Sequence, residues 1–342
     1  GYINLSAGEW GTQSSISEGY GLPADLEYIY LKGGPHPNPD GMIPYSTQFT
    51  GANYYEPALN RENNLQFDLL SKGVSVEFWL KKDAFDLTKT EKEVIFDLWN
   101  GNQLGASNYG RFRLELTGAS GADCFRLTVL SGSNGFEMQS VAASAVTSEA
   151  VADGVWHHYG LTLMSASNGV LSNFYLDGTL NNSAVFGTSM DLNEITGALR
   201  ANIGALITTP ASSSAAAYAG KLSASLDEFR YWKTERSGQQ IGRHWFTQVG
   251  GGTNDDPKPF KETREKVNTN LGVYYKFNEG ITGVAATDSV VLDYSGRISN
   301  GTWTGYTSDS RATGSAIVLS SAAIKEFKDP IIYAFHPEVS GL

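Results

Sequence analysis

The chain has 342 residues, with 36 Asp and Glu against 25 Lys and Arg, for a formal charge of −11 at pH 7. That length fits one large β-domain or two smaller ones, and that charge, with no local Lys/Arg cluster to offset it, argues against a nucleic-acid partner. A lone cysteine, Cys124, excludes an intramolecular disulfide framework and multi-Cys metal sites, and no apolar stretch reaches the length of a membrane span.

Residues 1–44 are rich in Gly, Pro and Ser and include the breaker run GGPHPNPDG at 33–41. They read as an extended arm or connection with one possible strand at 26–31. Regular β signals begin at Tyr45. Residues 74–81 (VSVEFWLK) alternate cleanly, and 94–99, 112–117 and 125–130 follow at short spacing, each bounded by Gly or Asn. Cys124 opens one of these patterns and reads as a small packed residue. Residues 153–162 (DGVWHHYGLT) form a further strand, and FYLDG at 174–178 a hairpin. In 221–232 the residues Leu222, Ala224, Leu226, Glu228 and Arg230 alternate against Ser223, Ser225, Asp227, Phe229 and Tyr231. Thr234 is placed to cap a short helix with Ile241 and Trp245 on one face. Residues 250–270 break the pattern as a surface insertion, and 308–342 read as a connector toward a further domain. The ladder of short strands, without a close internal repeat, predicts an all-β sandwich or barrel over 45–307. The start at Gly1 without Met reads as a segment of something longer or a processed product.

Three motifs occur in order: DGVWHHYGLT with FYLDG, then LDEFRYW at 226–232, then GVYYKFNEG with DYSG and NGT between 272 and 302. Together they resemble laminin-G-like and pentraxin-like domains, the concanavalin A-like jelly rolls, over roughly residues 45–305. The resemblance implies two packed antiparallel sheets, with Trp79, Trp156, Trp232 and Phe78 or Phe229 between them or at their margins. The wider set of sequences is similar to the laminin-G-like module in structural virion proteins of marine tailed phages. That likeness implies a fibre, neck appendage, baseplate or capsid decoration, oligomeric in the particle, with other virion chains and a host-surface glycan as partners. Residues 1–44 and 308–342 are then expected to contact other chains or domains. The alternative is a secreted bacterial carbohydrate-binding or adhesion module, and a third reading is a glycoside hydrolase with an unrecognised site.

No catalytic residue is expected. A jelly-roll glucanase needs paired carboxylates, typically spaced Glu-X-Asp-X-X-Glu on this fold, and the chain lacks that spacing. Asp227 and Glu228 are neighbours, and Asp227 reads as a structural carboxylate. No Gly-X-Ser-X-Gly elbow is present, His157 and His158 diverge as strand neighbours, and His36, His244 and His336 are isolated. Pentraxin-like relatives bind calcium through acidic loops, yet 207–218 holds no carboxylate and the earlier loop offers only Asn100 and Asn102. No cofactor is therefore expected, with a structural calcium near Asp97, Asp177 or Asp293 left open. Sugar recognition needs an aromatic platform ringed by amides, a composition found at Trp99, Asn100, Asn102, Asn108, Tyr109 and Arg111. The alternative for that loop is an ordinary Asn/Gly hairpin with Trp99 in the core.

Overall fold

The computed structural model describes residues 1–5, 28–32, 64–85, 92–118, 121, 123–187, 192, 195, 197, 199–207, 220–249, 270–295 and 299–319. These residues form two antiparallel sheets of eight strands each. The first runs in the order β10 (Thr179–Phe186), β9 (Gly169–Leu176), β8 (His157–Ala166), β3 (Val74–Lys81), β12 (Ala224–Trp232), β1 (Tyr2–Leu5) and β16 (Arg311–Ala312), with β13 (Leu271–Tyr275) also on β12. The second runs β14 (Val290–Val291), β15 (Gly301–Thr304), β2 (Tyr28–Lys32), β11 (Arg200–Ile203), β4 (Lys92–Trp99), β5 (Gly110–Thr117), β6 (Phe125–Ser131) and β7 (Asn134–Ser140).

Period-two alternation sends Val76, Phe78 and Leu80 of β3 and Tyr159 and Leu161 of β8 toward the second sheet. They meet Phe96, Phe112 and Phe125 there, with ring centroids of Phe96 and Phe229 5.3 Å apart and those of Phe125 and Tyr159 4.8 Å apart. Cys124 is free and buried beside this core. The Asp-Gly pair at 177–178 makes the two-residue turn between β9 and β10, both residues holding positive φ (46° and 75°). Gly178 is required twice over, because a Cβ there would lie 2.2 Å from the Trp245 ring.

β12 departs from the simple alternation read from its sequence. The pairing with β3 shifts between Asp227 and Arg230, and Glu228 takes φ 51°. Leu222, Ala224 and Leu226 face the core before this bulge, and Phe229 and Tyr231 face it afterwards. The same bulge divides the strand's other edge: β1 pairs with 224–226 and β13 with 229–232.

Within 1–44, the described residues 1–5 and 28–32 contain strands. β1 lies inside the first sheet, between β12 and β16, and β2 inside the second, between β11 and β15, and Ile3, Leu5, Ile29 and Leu31 are buried in the shared core. Residues 308–312 likewise contribute β16, paired with β1. Alternating apolar residues explain β1 and β2: a strand of four or five residues is held by neighbours rather than by its own propensity. Phe78 and Phe229 reach the inter-sheet core as expected, but Trp79 and Trp156 pack with Trp245 and Ile317, and Trp232 with Val249 and Tyr274, on the other face of the first sheet. That face is covered by a short helix, Gly238–His244, here called α1. Its cap is Ser237, not Thr234: Ser237 Oγ accepts from Gln240 N–H and the Gln240 side chain accepts from Ser237 N–H. Ile241 is buried and Gly160 of β8 leaves it room, the site of an added Cβ lying 3.7 Å from Ile241 Cδ1. Residues 45–63, where the regular β signals begin, and 250–269 of the expected insertion lie outside the described residues.

Ile3→Ala, in the first strand, is expected to cost about 2–5 kcal/mol, read from the denaturation midpoint. A midpoint within error of the parent chain would show β1 to be dispensable.

Candidate functional site

β4 and β5 are joined by the loop 100–109, at the end of the second sheet. Asn100 is buried and ties this loop together: its Nδ2 donates to Asn108 O (2.6 Å), and its Oδ1 accepts from Asn102 N–H (3.2 Å) and Gly110 N–H (3.1 Å). Trp99 is buried with its Nε1 donating to Asn102 O at 2.8 Å, and it packs with Tyr109 and Ile207. Arg111 is buried on the outer face of the sheet and grips Asp97 through two nitrogens, Nε to Oδ1 at 2.8 Å and Nη2 to Oδ2. Asp97 Oδ2 also accepts from Ile207 N–H at 2.9 Å. The next strand position carries a second ion pair, Arg113 Nε to Glu115 Oε2 at 2.9 Å.

The six residues singled out by composition are thus brought together, in two layers. Asn100, Tyr109 and Arg111 form the frame, with Trp99 at its base. Asn102 is half-buried, and Gln103, Leu104, Ser107 and Asn108 are exposed at the loop tip. Sequence reasoning missed Arg200. It pairs in register with Trp99, and its guanidinium carbon lies 4.5 Å from the centre of the Trp99 ring. Its Nη2 fills the space over Gly101, 2.8 Å from where a Cβ would sit.

A second polar cluster lies beneath α1. Glu77 is buried, with Arg236 Nε at 3.3 Å, His158 Nε2 at 3.5 Å and Arg230 Nη1 at 3.8 Å. Arg230 also donates to His244 O (3.1 Å), Thr247 O (2.6 Å) and Glu228 (3.1 Å). Burial pushes the Glu77 carboxyl up, but the Arg236 charge, a hydrogen bond with His158 and the Arg230 charge outweigh it and hold it at about 2. Burial pushes His158 below its ordinary value. Its neighbour His157 points the other way, between Asp177 Oδ2 (2.7 Å) and Asp153 Oδ2 (3.1 Å), and the Asp177 hydrogen bond holds it up at about 9. This cluster is closed under the helix and serves packing.

Asp227 is a structural carboxylate, accepting from Glu228 N–H and Ala316 N–H, each at 2.8 Å. The acids considered for calcium all accept from protein donors. Asp97 is held by Arg111 and Ile207, Asp177 by His157 and His158 N–H, and Asp293 by Tyr274, Ser295 and Ser299 N–H groups. Among the described residues no group of three His, Cys, Asp or Glu is placed to hold a metal. Residues 208–218 of the carboxylate-free loop lie outside the described residues.

Burial and the Glu228 charge raise Asp227 to about 8, so it costs stability as pH climbs from 3.8 toward 8, and Glu77, His158 and His157 add their own contributions. Glu77 contributes fully above its ordinary value of 4.5 and loses that contribution as pH falls toward 2. His158, held neutral, adds a loss that begins below 6.5, where the unfolded chain takes up its proton. His157 contributes fully below 6.5 and loses it as pH rises through 9. Glu77→Gln is expected to cost about 3–5 kcal/mol at pH 7 by leaving buried guanidiniums uncompensated, and His157→Gln to flatten the limb between 6.5 and 9 in denaturation midpoints. An unchanged alkaline limb in His157→Gln would contradict this assignment.

By sequence, no curated protein matches the chain. Among solved structures, a Bacteroides ovatus protein provisionally classed as carbohydrate-binding is 16% identical over 83% of this chain and 60% of its own, with a TM-score of 0.40. The heptameric SAP-like pentraxin of Limulus polyphemus is 12% identical over 70% of this chain and 79% of its own, at 0.38. Domains LG4-5 of the mouse laminin alpha1 chain are 12% identical over 69% of this chain and 47% of their own, at 0.36. The chain therefore spans less than two thirds of the first and third of these proteins. The sequence profile of the concanavalin A-like lectin/glucanases superfamily, in its laminin-G form, matches residues 55–242, more than half the chain, and the chain belongs to that family.

Proposed function

We propose that this chain is a non-catalytic carbohydrate-binding or adhesion module that works as part of a tailed-phage virion, in attachment or assembly. The observation that carries the binding half is the division of labour on the outer face of the second sheet. The two carboxylates nearest the loop 100–109, Asp97 and Glu115, are each locked to an arginine, whereas that loop presents amide and hydroxyl side chains to solvent. Glycan hydrolysis needs one carboxyl free to donate a proton and a second free to attack or to activate water. Sugar binding needs neither; it needs oriented polar groups around a rigid frame, which Asn100 and the Arg111–Asp97 pair supply. The virion half is supported by the motif likeness alone. The family contains lectins and glucanases, so fold does not choose between binding and cleavage, and it is the ion pairing of Asp97 and Glu115 that supports binding.

The test of the binding half is a glycan array with a reducing-end assay on every glycan retained. Retention without release of reducing ends is expected; release would establish a glycosidase. For the virion half, antibody to this chain is expected to label intact particles at one defined structure. Labelling of bacterial culture supernatant or cell surface with bare particles would favour the secreted module instead.

A further inference from the structure

Arg200 stands out among the buried and half-buried arginines of the described residues. Asp97 and Glu115 occupy Arg111 and Arg113, Glu77 and Glu228 occupy Arg230, Asp123 occupies Arg126, and Glu279 occupies Arg311. Arg200, half-buried at the loop end of the second sheet, has no hydrogen bond to an acceptor and no carboxylate partner among the described residues. It is nonetheless held in place. The Trp99 ring supports it at 4.5 Å and the Gly101 position, at φ 85°, leaves the space its Nη2 fills. Trp99 is fixed in turn by its bond to Asn102 O. A guanidinium fixed in position by a ring, with its donors unspent, is the arrangement that receives a planar, two-oxygen anion.

We propose that Arg200, carried on Trp99, binds the carboxylate of an acidic sugar chain. The inference rests on the carbohydrate-binding reading above and names the ligand class. Three features decide for this class. With its indole already covered by a guanidinium, Trp99 offers that face to no sugar ring, so the presented group is the cation rather than an aromatic platform. The loop that starts beneath it carries Asn102, Gln103, Ser107 and Asn108, amides and a hydroxyl suited to sugar hydroxyls, and its residues 100–109 bear no charge that would compete for the guanidinium. Against a net charge of −11, the site is a local exception and not part of a basic surface that would collect polyanions by charge alone.

The experiment is an array of uronate- and sialate-bearing glycans, each beside its carboxyl methyl ester, with neutral glycans, probed with the full chain and with Arg200→Gln and Arg200→Lys. The parent chain is expected to retain acidic glycans over their esters. Arg200→Gln is expected to weaken that retention about tenfold or more, with Arg200→Lys intermediate because charge remains while the fork is lost. Thermal midpoints of both variants within a few degrees of the parent would show that the fold survives. Retention indifferent to esterification and to Arg200→Gln overturns this inference and leaves the carbohydrate reading standing. Retention of no glycan, acidic or neutral, overturns the carbohydrate reading and this inference with it.

Discussion

The bulge at Asp227–Glu228 is the constraint on which the rest of the molecule depends. A strand with strict period two would send Leu226 and Phe229 to opposite faces, and one half of β12 would lose its place in the core. The shift between Asp227 and Arg230 restores both halves to the core side, at the cost of one non-glycine residue at positive φ. The bulge is held by its own side chains. Asp227 accepts from Glu228 N–H and Ala316 N–H, while Glu228 accepts from Gln248, Arg230 and Tyr274. The pairing of β1 before the bulge and β13 after it follows from the same kink.

Two layers are built on this strand. Toward the second sheet lies an aromatic and aliphatic core; on the other face lie Glu77, His158, Arg230 and Arg236 under α1, with Trp79 stacked on Trp245 at 5.5 Å. Burying that many ionic groups adds little net stability, since desolvation offsets most of the attraction. Its effect is specificity of position: Arg230 reaches the carbonyls of His244 and Thr247, which fixes where the segment after α1 runs. The turn at Asp177–Gly178 fits the same segment, because only a glycine leaves space for Trp245.

The strands were legible where alternation was unbroken, as in VSVEFWLK and FRLELT, and where a turn carried Asp-Gly. The bulge was legible too, though in a different signal: apolar residues at 222, 224 and 226 resume at 229 and 231, with two adjacent acids between. The helix cap was written as Ser-X-X-Gln at 237–240, a better signal than Thr234. Glu77 gave no such sign, since a glutamate in an alternating strand reads as a solvent-facing position, and only α1, formed more than 150 residues later, buries it. Composition identified the loop 99–111, but not its layering: whether an asparagine binds backbone or ligand is decided by hydrogen bonds that spacing does not specify. Arg200 lay in no motif at all. Its position over Trp99 follows from the register of β11 on β4, a pairing of residues about a hundred apart.

The account places ligand recognition on the rim of the second sheet, where a frame of ion pairs supports a loop with exposed polar side chains. A crystal structure of the full chain with a bound acidic oligosaccharide tests that most directly. The account predicts a sugar carboxylate within hydrogen-bonding distance of the Arg200 guanidinium, with the chain's hydroxyls near Asn102 and Asn108 and the Arg111–Asp97 pair unbroken. A sugar bound on any other surface, or one that displaces Arg111 to reach Asp97, would contradict it.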